Sequence, residues 1–253
     1  MAGILPGPVA AWFRLLYERT DINFSIFYDP FDARTFAHGL ELTIELSIIC
    51  VAGSLIVGIA GAWLEGSHRA WTRRGVRVYV QLFRNTPPLV QLYFFYFGLS
   101  ALLPRVKGAF GVPSPLLSGL DWAIISLTLF AGAFNVEIFR AGIEAVPGVT
   151  IEAARSLGYT RVQIFRYVVL PLAARISLPA LSNNLVNLVK TTTLAYAIAV
   201  PELLYASNQI WSDDANVPEM MVVLLVVYLV LVGLLVWGMS ALERSLRRPG
   251  IGA

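Results

Sequence analysis

The sequence predicts an all-α integral membrane protein with five transmembrane helices, its N-terminus outside and its C-terminus inside. Three observations carry that prediction. Residues of the AVILMFWYC set make up 57% of the 253 positions and only 14% are charged, against about 25% charged in a soluble domain; mean hydropathy is +0.68. A soluble fold of this length has no interior large enough for that apolar surface. The apolar residues also fall in uncharged stretches, 46–64, 85–104, 122–136 and 220–242, with a fifth, 176–201, broken only by Lys190. Each approaches the roughly 20 residues that cross a bilayer. Finally, the basic residues alternate sides between these stretches.

Taken in order, residues 1–36 form an extracytoplasmic or interfacial segment. Trp12, Phe13, Tyr17, Phe24, Phe27 and Tyr28 suit a chain lying at a membrane surface. No basic region followed by an apolar core begins the chain, so a cleaved signal peptide is not expected. The membrane domain, 37–242, places helices at about 37–64, 78–104, 120–140, 176–201 and 219–242. Residues 108–119 are uncharged too, but Pro113, Pro115 and three glycines make them a loop. Residues 243–253 form a cytoplasmic tail. With the C-terminus inside, the inner segments hold 12 basic residues and the outer ones five: Arg14, Arg19, Arg34, Arg105 and Lys107. The last outer loop is acidic, with Glu202, Asp213, Asp214 and Glu219. The positive-inside rule favours this direction. There is no internal repeat and no low-complexity segment.

The connection at about 144–171 is the most informative. Residues 140–175 read RAGIEAVPGVTIEAARSLGYTRVQIFRYVVLPLAAR. A short helix is expected over 151–157, ended by Gly158, and Thr160 caps a second. Pro171 is expected to break the chain before the fourth span. Two short helices about a glycine turn make a rigid knob.

The spacing in this loop resembles a known signature. Glu152-Ala153-Ala154, three residues, Gly158, nine residues, Val168, one residue and Leu170-Pro171 match the EAA loop of ABC importer permeases, with Val168 in place of Ile. The resemblance extends over about 39–242 to the polar amino acid subfamily. Supporting it are Phe83-Arg84-Asn85-Thr86-Pro87, Glu137-Ile138-Phe139-Arg140, Ala145-Val146-Pro147 and Lys190-Thr191-Thr192-Thr193-Leu194. Val149-Thr150 stands where relatives carry Gly-Gln, and Thr-Thr-Thr follows Lys190 where they often carry Asp/Asn-Thr/Ser-Ser. The resemblance implies a five-helix type I importer permease in a bacterial inner membrane. Its partners would be an identical or homologous permease, two cytoplasmic ATPases that bind ATP and Mg, and an extracytoplasmic binding protein. Glu152, Ala153, Ala154, Gly158, Val168, Leu170 and Pro171 would form the ATPase-coupling loop. Glu152 supplies a charge for docking, the alanines permit close approach, and Gly158 permits the turn.

Polar residues inside spans are expensive and mark function. Asn183, Asn184, Asn187, Lys190 and Thr191 fall within about 120° of the fourth span at 100° per residue. Such a stripe faces another helix or a watery path. In the family the position six before the motif lysine, here Asn184, lines the translocation path, and relatives handling basic cargo tend to carry a carboxylate there. In the second span Gln81, Arg84, Asn85 and Gln91 share a similar arc. Pro87 and Pro88 remove two amide donors and kink the helix. Arg84 either binds a substrate carboxylate, caps the freed carbonyls or snorkels. Glu137 and Arg140 are spaced for an ion pair. The substrate-path candidates are therefore Asn184, Asn187, Lys190, Thr191, Arg84 and Gln91. Amides and one lysine favour glutamine, glutamate, asparagine or aspartate as cargo, with basic amino acids or opines as the alternative.

Other classes fit less well. Lys107 precedes Gly108 and Lys190 follows Val189, so neither belongs to a P-loop and no ATPase site is expected in this chain. A single cysteine, Cys50, excludes an intrachain disulfide and a cysteine-rich metal site. His38 and His68 lack metalloprotease spacing and fall at opposite membrane ends, against an intramembrane hydrolase. An ion-coupled carrier or channel would call for carboxylate relays or matched inverted repeats.

Overall fold

A computed structural model describes residues 7–107 and 113–246. The elements are α1 (Gly7–Thr20), a 3-10 turn at Ser25–Phe27, α2 (Pro30–Glu65), α3 (Ala70–Arg84), α4 (Pro88–Tyr93), strands β1 (Arg105–Lys107) and β2 (Pro113–Pro115), α5 (Gly119–Glu144), α6 (Gly148–Ser156), α7 (Arg161–Ile164), α8 (Leu170–Thr191), α9 (Leu203–Asp214) and α10 (Val217–Leu246). Among the described residues, four helices are long and apolar enough to cross a bilayer: Pro30–Glu65, Gly119–Glu144, Arg161–Ile198 and Val217–Ser245. A shorter apolar helix covers Pro88–Leu102. The expected tail, 243–253, begins inside α10, and its residues 247–253 lie outside the described ones.

Four sequence expectations need correction. The first long helix starts at Pro30 rather than 37. The Asp29 carboxylate accepts from the amides of Phe31 (2.7 Å) and Asp32 (3.3 Å), and proline suits a first helical position. The stretch 78–104 is not one helix. It is split between α3, which begins at Ala70, and α4, with Asn85, Thr86 and Pro87 between them. Two consecutive prolines orphan the carbonyls of Phe83 and Arg84, and the ladder gives way instead of kinking.

Pro171 does not interrupt the chain before the fourth span. The π-helical turn Phe165–Val169 joins α7 to α8, and a 3-10 turn extends α8 from Thr192 to Ile198. Widening the helix just ahead of Pro171 absorbs its missing amide donor. The connection at 108–119 is likewise not wholly irregular. Arg105 pairs with Pro115 and Lys107 with Pro113 in a two-stranded antiparallel ribbon. Residues 108–112 of that connection lie outside the described ones.

The chain divides into two compact units. One comprises Met1–Ile49, Leu92–Ile124 and Val189–Val232. Its core gathers Ile26, Phe36, Leu203, Ile210, Met220 and Val223. The Asn216 amide donates to the Asn23 carbonyl (3.1 Å) and to Ser25 Oγ (3.3 Å), while Glu219 accepts from the Asn23 amide (3.1 Å). These bonds pin the N-terminal segment to the start of α10. The rings of Phe13 and Phe27 lie 4.5 Å apart, so α1 is tied to the same segment by its aromatic face.

The other unit comprises Cys50–Gln91, Ile125–Leu188 and Gly233–Ala253. A Cβ added to Gly58 would strike Asn135, and one added to Gly61 would strike Val136. The two glycines therefore let α2 and α5 approach backbone to backbone, the usual source of helix adhesion where no hydrophobic drive exists. The Tyr79 hydroxyl donates to the Leu129 carbonyl at 2.6 Å and fastens α3 to α5.

Candidate functional site

The EAA loop folds as a small structured body. α6 ends in a left-handed turn at Gly158, with φ at 83°. The Gly158 amide donates to Arg155 O (3.0 Å) and the Tyr159 amide to Ala154 O (3.2 Å), which satisfies the last carbonyls of the helix. The expected Thr160 cap is present as a capping box with Gln163. Val146, Ala154, Ile164, Val169 and Ala173 form its core. Of the signature residues, Ala154 is buried and Val168 half-buried, whereas Glu152, Ala153, Gly158, Leu170 and Pro171 are exposed. Val149, Leu157 and Val162 are exposed as well. With Arg155, Arg161 and Arg166 exposed among them, the surface of the loop mixes apolar and charged side chains.

The polar stripe of α8 divides. Asn183, Asn187 and Lys190 are exposed and Thr191 is half-buried. Asn184 is only 9% exposed. It follows Asn183 by 100°, which puts it at the edge of the stripe facing α5. Its amide donates to Ala131 O (3.1 Å) and Asn135 Oδ1 (2.8 Å), and the Asn135 amide donates to Ser54 Oγ (3.1 Å). A chain of two buried amides and a hydroxyl thus links α8, α5 and α2. Lys190 makes no ion pair among the described residues.

Gln91 and Arg84 occupy the broken second span in different ways. Gln91 is buried, and its amide donates to Phe83 O (2.8 Å), Thr86 O (3.0 Å) and Thr86 Oγ1 (2.6 Å). It thereby takes over a carbonyl that the prolines leave unserved, the capping that the sequence offered as one role for Arg84. Arg84 lies over the Phe134 ring at 5.4 Å and 3.6 Å from Glu137. The expected Glu137–Arg140 pair is present at 2.8 Å, and Arg140 also grips Glu144 at 2.8 Å and approaches Glu65 at 3.7 Å.

Sequence reading missed two features. Asn135 and Ser54 sit in uncharged runs that also hold Ser47, Ser126 and Thr128, so nothing local set them apart. Glu202, assigned to an acidic outer loop, is fully buried. Its carboxylate caps α9 by accepting from the amides of Leu204 (3.0 Å) and Tyr205 (2.9 Å), and Tyr228 Oη lies 3.5 Å away. The adjacent Leu203 amide donates to Thr43 Oγ1 at 2.9 Å. Glu202 lies between the bilayer-length helices that end at Ile198 and start at Val217. Burial pushes its carboxyl up to about 7, against the lowering effect of the donors around it.

Long apolar helices, buried polar links between them and an exposed structured loop are the features of a multi-pass membrane protein. The chain belongs to the family of binding-protein-dependent transport system inner membrane components, whose model matches residues 54–248. It is 33% identical over 219 residues to the octopine transport system permease protein OccM of Rhizobium meliloti, covering 83% of this chain and 88% of that one. It is 32% identical over 227 residues to the probable glutamine ABC transporter permease protein GlnM of Bacillus subtilis, covering 90% and 99%. Over 172 residues it is 35% identical to the histidine/lysine/arginine/ornithine transport system permease protein HisM of Salmonella typhimurium, covering 68% and 73%. Among solved structures, an amino acid ABC transporter crystallised with histidines matches with a TM-score of 0.74 and 29% identity, covering 84% of this chain and 94% of that one.

Proposed function

We propose that this chain, a permease subunit of an amino acid ABC importer by its family and relatives, carries polar amino acids of the glutamine, glutamate, asparagine and aspartate type across a bacterial inner membrane. Five spans run N-out to C-in, with α3 and α4 together making the second. The loop at 144–171 then lies in the cytoplasm and docks an ATPase through Glu152, Ala153 and the apolar residues around them. Gly158, Val168, Leu170 and Pro171 hold its shape, with Ala154 in its core. A second permease, two ATPases that hydrolyse ATP, and an extracytoplasmic binding protein complete the machine.

The observation that supports this cargo is the polar face of α8, where Asn187 and Lys190 are exposed and no carboxylate occurs along the helix. Lys190 meets the α-carboxylate, and Asn187 with Thr191 reads the side chain. Asn184 and Gln91 act behind them, holding the helices that border the path, and Arg84 adds positive potential. A basic or opine cargo is the second reading, favoured by the names of OccM and HisM.

Competitive uptake into vesicles carrying the full complex decides between them. Asn187→Glu should depress uptake of acidic cargo more than neutral or basic cargo, because like charges repel strongly in a low-dielectric path. Lys190→Ala should depress uptake of every amino acid. Unchanged selectivity in Asn187→Glu, or a wild-type preference for arginine, removes the polar-cargo reading.

A further inference from the structure

A cavity of about 540 Å³ in the unit containing Cys50–Gln91 is not used by the transport reading. Trp63, Glu65, Arg77, Arg140, Glu144 and Phe165 line it. Two carboxylates and two guanidinium groups balance its charge, so neither a simple anion nor a simple cation matches it. The groups are also only partly committed to one another. Arg77 contacts Glu65 through Nε alone, at 3.3 Å, and its side chain is two-thirds exposed. Its Nη groups make no hydrogen bond among the described residues. Glu144 accepts from one Arg140 nitrogen and is otherwise exposed. Glu65 Oε2 is buried without a hydrogen-bond partner; its nearest cation is Arg140 at 3.7 Å. The cavity therefore offers donors to an anion and unfilled acceptors to an ammonium.

Its wall supplies a second observation. Trp63 is 75% exposed and stands near the end of α2, where an indole belongs if that end meets a bilayer interface. Ile56 and Ile59, both exposed, fall within about 60° of Trp63 on the same helix face. This stripe leads from the apolar middle of α2 to the cavity. An acyl chain on the stripe would bring its headgroup to the charged wall.

We propose that the cavity binds the zwitterionic headgroup of a phosphatidylethanolamine-type phospholipid. The phosphate takes the free edge of Arg77, the primary ammonium sits between Glu144 and Glu65, Trp63 covers the glycerol region, and an acyl chain follows Ile59 and Ile56. Phosphatidylglycerol would satisfy the arginine and leave both carboxylates unmatched. A free amino acid has the two charges and nothing to place on the isoleucines. The proposal rests on α2 crossing a bilayer and is independent of which cargo is carried.

The test uses the full transporter complex in nanodiscs of equal phosphatidylethanolamine and phosphatidylglycerol, extracted into mild detergent, with retained lipid measured by native mass spectrometry. The wild-type complex should retain phosphatidylethanolamine over phosphatidylglycerol by about fivefold or more. Glu144→Ala and Trp63→Ala should lose that preference. Brominated-acyl phosphatidylethanolamine should quench the fluorescence that Trp63→Phe removes, and soluble phosphoethanolamine or amino acid should not relieve the quench. No enrichment in wild type, equal retention of both lipids, or an unaltered preference in Glu144→Ala overturns the proposal. Relief of the quench by a free amino acid also overturns it, since the ligand is then a soluble zwitterion. Resistance of the protein to carbonate extraction from the cell membranes that it is purified from reports separately on whether the chain spans the bilayer.

Discussion

Glu202→Gln should abolish a pH dependence in the closure of α9. The carboxyl has an unperturbed value of 4.5 and is pushed up to about 7 where it is buried. Between those values the folded protein holds a proton that the opened state has released, so closure weakens as pH rises. The stabilisation is complete below pH 4.5 and is lost as pH passes through 7. A shift of this size corresponds to about 3 kcal/mol at roughly 1.36 kcal/mol per unit. Hydrogen exchange of the α9 peptide, corrected to a common intrinsic rate, should therefore quicken by about two orders of magnitude from pH 5 to pH 8. Glutamine keeps an acceptor for the Leu204 and Tyr205 amides and carries no charge. The variant should give a flat profile and be the more protected protein at pH 8. Parallel profiles for the two proteins would falsify the assignment of Glu202 as the titrating group.

Glu152→Lys should leave the subunit inserted and abolish substrate-stimulated ATP hydrolysis by the complex, since reversing a charge at a docking surface can cost several kcal/mol; normal transport would sink the coupling role. For orientation, the probe is a cysteine at exposed Glu18 in a Cys50→Ser background. An impermeant reagent should label it from outside the cell, and labelling only from the cytoplasm would refute the N-out map. Asn135→Ala should lower the thermal midpoint of the permease by cutting the amide chain at its centre, about 1–2 kcal/mol if both bonds are lost; an unchanged midpoint means the chain contributes little.

What the sequence made legible follows from how local each signal is. Uncharged runs revealed α2, α5, α8 and α10 because bilayer thickness sets helix length. Thr160 and Gly158 revealed the loop's turns because caps depend on two or three neighbouring residues. Helix ends were read worse. Charge counting started the first span at 37, although the local Asp29-Pro30 cap starts it at Pro30. The face that Asn184 takes was not legible either: an arc of about 120° cannot say which edge meets α5, and the partner Asn135 lies 49 residues away. Gln91 carried no sign of serving Phe83, because that bond exists only once the prolines have opened the helix. Glu202 misled for a related reason. It was grouped with Asp213, Asp214 and Glu219, which follow it in sequence, while its neighbours in space are Thr43 and Tyr228.

The π turn at Phe165–Val169 has a mechanical consequence. Because Pro171 does not cut the chain, Arg161–Ile198 is a continuous helical segment of 38 residues, with Pro179 inside it. Its foot is the capping box at Thr160, directly beside the EAA turn, so the loop and the start of α8 share one hydrogen-bonded backbone. A displacement of the loop is therefore handed to the first turns of α8 rather than taken up by a slack linker.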